Sequence, residues 1–483
     1  MSLLVAVVAC DAPRPQWSER AKPREIAPAV VFVAPAGRAT RPGDGSAEDP
    51  FPTIAQALRA APAGSLIRIA EGEYAEELLV ERSAVLAGAG PEKTRLVAPD
   101  GKRAPVLRIQ GGARVELREL AIERAAAGLS IAGGSARLES VALRDLTEFA
   151  VAARDAEVAV LDGEVSGIGG GTRGVAIRIE GGSLEMRRSA LRRSGRRGIE
   201  VRRARALLER VDVSDSALAA VQALDGAEVT IDGGRFERIG GSALYAGAAK
   251  LVVRHASVSH AEYGVVGYRG AEIELRDSEF SDTRVASVGL VRARGVLERC
   301  VLVRGGSDAA IAITAAPDTV RLVANRIVEP GPFGVHVTQA SVVATDNSIA
   351  GASLDREGDM GDGIYAIDAD LSLERNELRG NAGSGVTISR SRVRLLRNRV
   401  SSNGRAGLLL LDRSSASANH NRFEGNHGPG VQIAERSAAT LLGNRFSGNL
   451  AYDVDPVCGG GGSVDVRSGN SFLGPAEPRR SCD

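Results

Sequence analysis

Three side chains have types and a spacing suited to proton transfer. His336 and Tyr365 lie at alternate positions of short apolar segments, so both are expected to point outward while Val335 and Ile364 point into a core. Asp362 lies just before Tyr365 in the chain. A histidine and a tyrosine about one strand spacing apart beside a carboxylate can supply the acid and base of a proton abstraction. We therefore predict His336, Tyr365 and Asp362 as candidate catalytic residues.

An acidic segment, ASLDREGDMGDG, occupies residues 352–363 directly before Tyr365. Asp355, Glu357 and Asp359 offer the hard oxygen ligands that Ca²⁺ prefers, although the spacing is not that of an EF-hand. The alternative is a solvated acidic loop beside two ordinary surface residues. Apart from this calcium candidate, the sequence predicts no metal and no cofactor.

A second candidate site is the arginine-dense stretch at residues 186–210, MRRSALRRSGRRGIEVRRARALLER. Clustered guanidinium groups bind carboxylate and sulfate groups bidentately, so an acidic polysaccharide is the ligand class that this stretch suggests. The alternative is a solvated face whose arginines are balanced by nearby acids. The candidate polyanion-binding residues are Arg192, Arg193, Arg196 and Arg197.

Composition restricts the remaining function classes. The chain of 483 residues carries 61 Lys and Arg against 60 Asp and Glu, a net charge of +1, and only 3% of its residues are aromatic. Nucleic acid is therefore not an expected partner, because neither a basic field nor stacking side chains are abundant. Hydrophobic residues make up 43% of the chain, as in ordinary folded proteins. No apolar run approaches the length of a membrane-spanning helix.

Internal repeats organise most of the chain. The segments LERNELRGN, LLRNRVSSN, ANHNRFEGN and LLGNRFSGN share one frame, with successive asparagines separated by 22, 23 and 23 residues. The frame extends toward the N-terminus through Asn347 and Asn325, and then continues at Val301, Ser278 and Ala256 without asparagine. The asparagines that define it lie at residues 376, 398, 421 and 444, with a second set at 381, 403, 426 and 449.

A period of about 22 residues predicts a coil of three short strands separated by tight turns. Each coil pairs with the next through parallel backbone hydrogen bonds, and stacking buries a continuous core. About 15 or more coils at ~4.8 Å give a rod of ~75 Å. Asparagine at a fixed turn position is expected to adopt the left-handed conformation and to hydrogen-bond neighbours above and below. Helical solenoids are excluded because the repeats lack a 3.6-residue apolar period.

The two ends of the chain carry processing and capping signals. Residues 1–10, MSLLVAVVAC, resemble a bacterial lipobox that would place a lipid on Cys10, although no Lys or Arg precedes the apolar run. Residues 11–29 are rich in proline and charge, as a tether is. Near the C-terminus, Cys458 and Cys482 can close residues 456–483 into a cap by a disulfide, whereas Cys300 is expected to be buried and free.

The N-terminal segment adds a specific resemblance. Residues 30–80 run from VVFV through GDGS and PFPTI to GEYAEELLV, and Thr53 is placed to cap a helix that covers the open first coil. Together with the repeats, this segment resembles the right-handed parallel β-helix, or pectin-lyase-like, superfamily. We therefore predict an all-β, single-stranded parallel β-helix of three sheets, with an N-terminal cap and first coils at 30–110 and repeats at 111–455.

The resemblance implies a substrate groove along one sheet, walled by the loops that precede its strands. It is compatible with three functions: binding of extracellular acidic polysaccharide or cell-envelope glycan, a polysaccharide lyase or uronan epimerase that uses His336, Tyr365 and Asp362, or a structural rod. Binding is the leading hypothesis. The expected location is the cell envelope or the extracellular space, as a monomer attached to a membrane only through a lipid anchor.

Overall fold

Parallel strands form nearly all of the regular structure. The computed structural model describes residues 29–35, 43–100, 103–169, 174–457, 459–474 and 477–479. The described strands wind into about 18 turns, and each strand pairs in parallel with the equivalent strand of the preceding and following turn. The predicted parallel β-helix is thus confirmed. Cys10, most of the tether, Cys458 and Cys482 lie outside the described residues, so the lipid and disulfide predictions stay predictions.

Each turn contributes one strand to each of three sheets, which we number in chain order. The strands that belong to sheet 1 alone are Val30–Val33, Ser65–Ile69, Ala84–Ala87, Arg114–Arg118, Ser135–Glu139, Arg205–Glu209, Glu228–Asp232, Lys250–Arg254, Glu272–Arg276, Arg294–Glu298, Val320–Val323, Ser341–Thr345, Asp370–Glu374, Arg392–Leu396, Ser415–Asn419, Ala438–Leu442 and Ser463–Val466. Those of sheet 2 alone are Gly72–Ala75, Thr94–Val97, Glu164–Ile168, Ala190–Ser194, Asp212–Ser216, Glu279–Ser281, Val301–Val303, Arg326–Val328, Ser348–Ala350, Glu377–Arg379, Arg399–Ser401, Arg422–Glu424, Arg445–Ser447 and Ser471–Leu473.

Sheet 3 carries both candidate sites. Its own strands are Leu78–Val80, Pro105–Ile109, Arg197–Arg202, Ala219–Leu224, Ala286–Val291, Ala309–Thr314, Phe333–Thr338, Asp362–Ile367, Val386–Ser389, Leu408–Leu411, Val431–Ile433, Tyr452–Pro456 and Glu477–Arg479. Five longer strands continue around a corner and belong to two or three sheets: Ala121–Ala132, Ala142–Leu161, Val175–Arg187, Arg235–Gly247 and Ser257–Tyr268.

The core is a column of small and branched apolar side chains inside the coil. Strand alternation sends every second residue inward, so Ile311, Val335, Ile364 and Val386 stack one above the other and are almost fully buried. Near the C-terminal end the column ends in stacked rings: Phe446 lies 5.2 Å from Phe423 between ring centroids. Such a core forms only by stacking, which explains why the repeats share one spacing.

Asparagine ladders close the C-terminal turns. Between sheets 1 and 2, the Oδ1 atom of Asn376 accepts hydrogen bonds from both the backbone N and the Nδ2 of Asn347, each at 2.9 Å. The same pattern repeats through Asn398 and Asn421 at 2.8 to 3.0 Å. The predicted ladder is confirmed. The predicted left-handed conformation at the asparagines is wrong, because it occurs one residue earlier, for example at Arg375 (φ 53°).

The ladder frame also needs one correction toward the N-terminus. The residue in register with Asn325 is Cys300, whose backbone N donates to Asn325 Oδ1 at 2.9 Å, and not Val301, which pairs with Arg326. Cys300 is fully buried, as predicted, and burial raises the pKa of its thiol to about 11. Further upstream Ser278 fills the ladder position with a single hydroxyl.

A short helix, Ile54–Ala60, covers the first turn as predicted. Thr53 caps it by accepting a hydrogen bond from Gln56 N at 3.2 Å. The buried side chains of Ile54 and Ala57 pack over strands of sheets 1 and 3, which would otherwise leave the core open. Within the described part of the chain, no helix is both long enough and apolar enough to cross a membrane.

Candidate functional site

The outer face of sheet 3 presents one continuous column of side chains. Register pairs Glu200 with Gln222, and the column continues through Tyr245, Val266, Gly289 and Ala312 to His336 and Tyr365. Glu200 and Tyr365 are thus seven strand spacings apart, about 34 Å along the rod. Two groups of charged or aromatic residues lie at the ends of this interval.

The first group surrounds a buried carboxylate. Glu200 is only 4% exposed and is contacted by Arg197 at 3.0 Å, Arg202 at 3.3 Å and Arg178 at 3.5 Å. Arg178 is the register neighbour of Glu200, whereas Arg197 and Arg202 lie on the same strand as Glu200. Three guanidinium groups therefore share one carboxylate as their common partner.

Further ion pairs extend this group along the next outward column. Arg202 also reaches Asp225 at 2.7 Å, and Glu180 pairs with both Arg154 and Arg203. We call the whole group the arginine patch; its members are Arg154, Arg178, Arg196, Arg197, Arg202 and Arg203, with the acids Glu180, Glu200 and Asp225. Six guanidinium groups face three carboxylates, so the patch carries a local excess of positive charge.

Arg197 is the least solvated guanidinium of the patch. Its side chain is 18% exposed, and its Nε is buried without a hydrogen-bond partner among the described residues. Burial lowers the pKa of Arg197; Glu200 opposes this effect, and the nearby Arg196, Arg202 and Arg178 add to it. An incoming anion would therefore relieve repulsion that Glu200 alone does not compensate.

The structure divides the four arginines that the sequence nominated. Arg192 and Arg193 lie on the sheet 2 strand Ala190–Ser194, where Arg192 approaches Glu164 at 3.8 Å. Arg196 is exposed at the turn, and Arg197 begins the next strand of sheet 3. Arg178 and Arg202 were not predicted from the sequence. The 22-residue separation of Arg178 and Glu200 equals the repeat spacing and could have shown that they are neighbours.

The second group, which we call the ring cleft, brings together the predicted His336, Tyr365 and Asp362. The ring centroids of His336 and Tyr365 are 5.7 Å apart, and Phe333 lies 5.1 Å from each of them, stacked on Tyr365. His336 Nδ1 is 3.5 Å from Asp308 Oδ1. Phe333 was missed because the sequence gives no sign that the first residue of the strand turns toward the outer face.

Asp362 is buried at the base of the ring cleft. It is 5% exposed, and its Oδ1 accepts a hydrogen bond from the backbone N of Ser384 at 2.5 Å. Burial raises its pKa to about 6, although the Ser384 amide, the Thr387 hydroxyl and Arg405 each act in the opposite direction. The pKa of Tyr365 is also raised, first by burial and then by Asp362. The Asp362 carboxyl can therefore change its protonation state near neutral pH.

One hydroxyl group beside Asp362 is unpaired. The Ser384 hydroxyl oxygen is buried without a hydrogen-bond partner within the described residues, whereas the Thr387 hydroxyl is close enough to Asp362 to lower the pKa of that carboxyl. Thr387 lies one coil beyond Tyr365 in the outward column. Unpartnered buried hydroxyls are uncommon, because their desolvation is not compensated.

The acidic segment lies near the ring cleft, because Arg405 both contacts this segment and acts on Asp362. Asp355 Oδ1 accepts hydrogen bonds from the backbone N of Asp359 (2.8 Å) and of Met360 (3.2 Å), while Arg405 donates to the carbonyl oxygens of Gly358 and Asp359. The Asp355 carboxylate thus shapes its own loop. Among the described residues no group of three or more His, Cys, Asp and Glu side chains is arranged for a metal ion. A calcium site at Asp355, Glu357 and Asp359 stays a prediction.

Comparisons with known proteins found solved structures of low similarity and two sequence families. No curated protein matches the chain. Among solved structures, a mutant of the periplasmic alginate epimerase aligns at 10% identity and a TM-score of 0.35, covering 73% of this chain and 77% of that one. A surface adhesin of Streptococcus pneumoniae aligns at 10% identity and a TM-score of 0.33, covering 74% and 86%. The catalytic unit of an α-1,3-glucanase from Streptomyces thermodiastaticus aligns at 12% and 0.30, covering 96% and 71%.

Two sequence families match the chain directly. Residues 36–82 match a protein family of unknown function, DUF1565, which coincides with the N-terminal segment singled out above. Residues 127–347 and 333–472 match the family described as the right-handed β-helix region, over more than half of the chain. The chain therefore belongs to the right-handed parallel β-helix family.

Proposed function

We propose that the protein binds an acidic polysaccharide lengthwise on the outer face of sheet 3, anchored at the arginine patch. The observation that carries the proposal is the excess of guanidinium groups over carboxylates on the outer face of sheet 3 and its flanking turns, with the Arg197 Nε unpartnered among the described residues. Guanidinium groups recognise carboxylate and sulfate through two parallel hydrogen bonds. The lipobox-like residues 7–10 support a place at the cell envelope, where such polymers occur.

The shape of the face favours a linear polymer over a compact ligand. Next to the ring cleft the outward column carries Val266, Gly289 and Ala312, whose small side chains leave a shallow floor, whereas Gln222 and Tyr245 lie between this floor and the arginine patch. An extended chain can lie along this floor and contact several turns at once. Repeated weak contacts along one polymer give a combined affinity that none of them provides alone.

The test is co-sedimentation of the full chain with a panel of acidic polysaccharides. The double variant Arg178→Gln/Arg202→Gln should weaken binding at least about tenfold, because it removes two patch cations that remain partly exposed. The control Arg326→Gln/Arg445→Gln changes charge equally at exposed positions of sheet 2. Binding should also weaken with added salt.

Equal binding by both double variants would overturn the proposal, because affinity would then depend on net charge alone. Absence of binding to every acidic polysaccharide by the unaltered protein would also overturn it, and would favour the structural rod.

The ring cleft favours a second candidate function, a polysaccharide lyase or uronan epimerase. His336, Tyr365 and Asp362 share one cleft, and Asp362 has a pKa of about 6, which suits a group that exchanges protons near neutral pH. A lyase would raise the ultraviolet absorbance of a uronic polymer, and an epimerase would change its NMR spectrum. Loss of either signal in His336→Ala and Tyr365→Phe would establish catalysis at this cleft, and its persistence would exclude it.

A further inference from the structure

We propose that the ring cleft is a saccharide subsite for an uncharged sugar unit, so that the bound polymer carries both acidic and neutral units. This inference rests on the proposed function and specifies its substrate class. The arginine patch holds the acidic units, and the ring cleft, about 34 Å away on the same face, holds a neutral one.

The aromatic rings provide a rigid platform for a sugar ring. Tyr365 is half-buried and backed by Phe333, which stacks on it with an interplanar angle of 21°. His336 is tilted by 58° to Tyr365, so the two rings form two sides of a shallow corner. Because Phe333 fixes the orientation of both rings, little side-chain entropy is lost when a ligand packs against them.

Hydrogen-bonding groups in the cleft are suited to sugar hydroxyls. The Asp362 carboxyl accepts a hydrogen bond from Ser384 N, and the hydroxyl of Thr387 lies beside the same carboxyl. His336 makes only long contacts, 3.5 Å to Asp308 and 3.4 Å to Thr338. A sugar hydroxyl both donates and accepts, so it can pair with the His336 ring, which is partly exposed.

The charges around the cleft disfavour an acidic sugar unit, so this inference and the lyase or epimerase candidate are mutually exclusive. Asp308, Asp362 and Asp412 all lie close to its rings, and Asp362 and Asp412 both raise the pKa of Tyr365. The nearby cations are engaged elsewhere: Arg390 pairs with Asp368 and Asp412, and Arg405 donates to the loop carbonyls. A ligand carboxylate here would meet like charges in a partly desolvated site, whereas an uncharged unit would not.

Calorimetric titration of the full chain with neutral oligosaccharides of glucose, mannose and galactose tests the subsite. The expected result is binding of at least one of them, weakened at least about tenfold by Tyr365→Ala. Tyr268→Ala is the matched control, since Tyr268 lies on the same sheet but four coils away, beside Arg269. Tyr365→Leu keeps a bulky side chain without the aromatic face, and thermal melts of each variant exclude misfolding.

Three polymers then separate this inference from the proposed function. Binding of polygalacturonate should be weakened only by Arg178→Gln/Arg202→Gln. Binding of a polymer that alternates glucuronic acid with an uncharged amino sugar should be weakened both by that double variant and by Tyr365→Ala. Binding of a neutral glucan should be weakened only by Tyr365→Ala.

The two ideas fail in different ways. If no neutral oligosaccharide binds, or if Tyr365→Ala and Tyr365→Leu leave its affinity unchanged, the subsite is overturned while the patch result stands. If the patch variant binds polygalacturonate normally, the proposed function is overturned.

Discussion

The arginine patch and the ring cleft place the same kind of group, a buried carboxyl, on the same face of the same sheet. We expect the loss of the two carboxyls to have opposite effects on stability. Glu200 is 4% exposed and is surrounded by three arginines, whereas Asp362 is 5% exposed and has a pKa raised to about 6. The two carboxyls are buried to the same extent, so burial does not distinguish them. Three guanidinium groups lie within 3.5 Å of Glu200, whereas Asp362 accepts its hydrogen bond from the backbone N of Ser384.

Register determines those neighbours. In a parallel coil each residue lies directly above its equivalent, so Glu200 has Arg178 on one side and Gln222 on the other. Asp362 has the ring of Phe333 on one side and the Ser384 backbone on the other. A shift of one coil in either place would exchange a cation for an apolar or neutral group, so small repeat changes can create or remove a site.

The largest expected effect comes from removing the carboxylate of the patch. Glu200→Ala leaves Arg178, Arg197 and Arg202 close together without their common partner, which should cost about 3 to 4 kcal/mol of unfolding free energy. Denaturant titration measures it, with the exposed Glu279→Ala as the control. An equal, small loss in both variants would show that the arginines separate freely into solvent.

The opposite sign is expected at Asp362. Its folded pKa of about 6 exceeds the ordinary value of 3.8, so the ionised carboxyl costs stability above pH 6, and this cost disappears as the pH falls toward 4. Asp362→Asn should therefore stabilise the protein by about 2 to 3 kcal/mol at pH 8 and by almost nothing at pH 4. Thermal melts across this range measure it.

Asp370→Asn is the matched control, because Arg392 lowers the pKa of Asp370. Its carboxylate stabilises the fold at neutral pH, and this contribution is lost as the pH falls through the lowered pKa, so Asp370→Asn should be slightly destabilising at pH 8. A pH-independent gain in Asp362→Asn would show that the carboxyl is solvated in the folded state.

The fold could be predicted from the sequence because its determinants are local and repeated. The 22- and 23-residue asparagine spacing identified the coil and its ladder, and alternation placed His336 and Tyr365 on the outer face. The residue preceding each asparagine was not recognised as the left-handed one. Glycine occupies that position before Asn381, Asn426, Asn444 and Asn449 and does signal it, but the Arg, Asp, Ala, His or Ser found there in the other coils hides the pattern.

The sites were predicted less completely because corners and charge pairing depend on three dimensions. The corner at Gly195 separates Arg192 and Arg193 from Arg197, although they are close in sequence. Arg178 and Arg405 reach their partners across one or more coils, at separations that no local motif marks. Register arithmetic, applied coil by coil, would have found the first of these.

A smaller effect should distinguish the coils that carry the two sites. Asn376 lies in the coil of Tyr365. It accepts hydrogen bonds from Asn347 and donates one to the Ala344 carbonyl on one side, and its backbone N donates to Asn398 on the other. Asn376→Ala leaves several buried backbone and amide groups unpaired and should cost about 2 kcal/mol. Ser189→Ala, near the patch, removes one hydroxyl that bonds Gly163 N and Arg187 O, and should cost about half as much.

Hydrogen exchange measures this difference locally. Amides of the ring cleft should lose protection in Asn376→Ala more than amides of the patch do in Ser189→Ala. Equal losses would mean that backbone pairing alone holds both regions.

The smallest effect is expected where the patch chemistry recurs at a more exposed carboxylate, Asp277. Arg299 makes two hydrogen bonds to Asp277, at 2.7 and 2.8 Å, with both residues in the left-handed turn position. These contacts are shorter than the arginine contacts to Glu200, and the hydrogen bonds lower the pKa of Asp277. Because both groups remain hydrated when separated, Arg299→Gln should barely move the denaturant midpoint at neutral pH, and not at all at high salt or below the lowered pKa. A loss as large as that of Glu200→Ala would show that hydrogen-bond geometry, rather than burial, sets the strength of these arginine pairs.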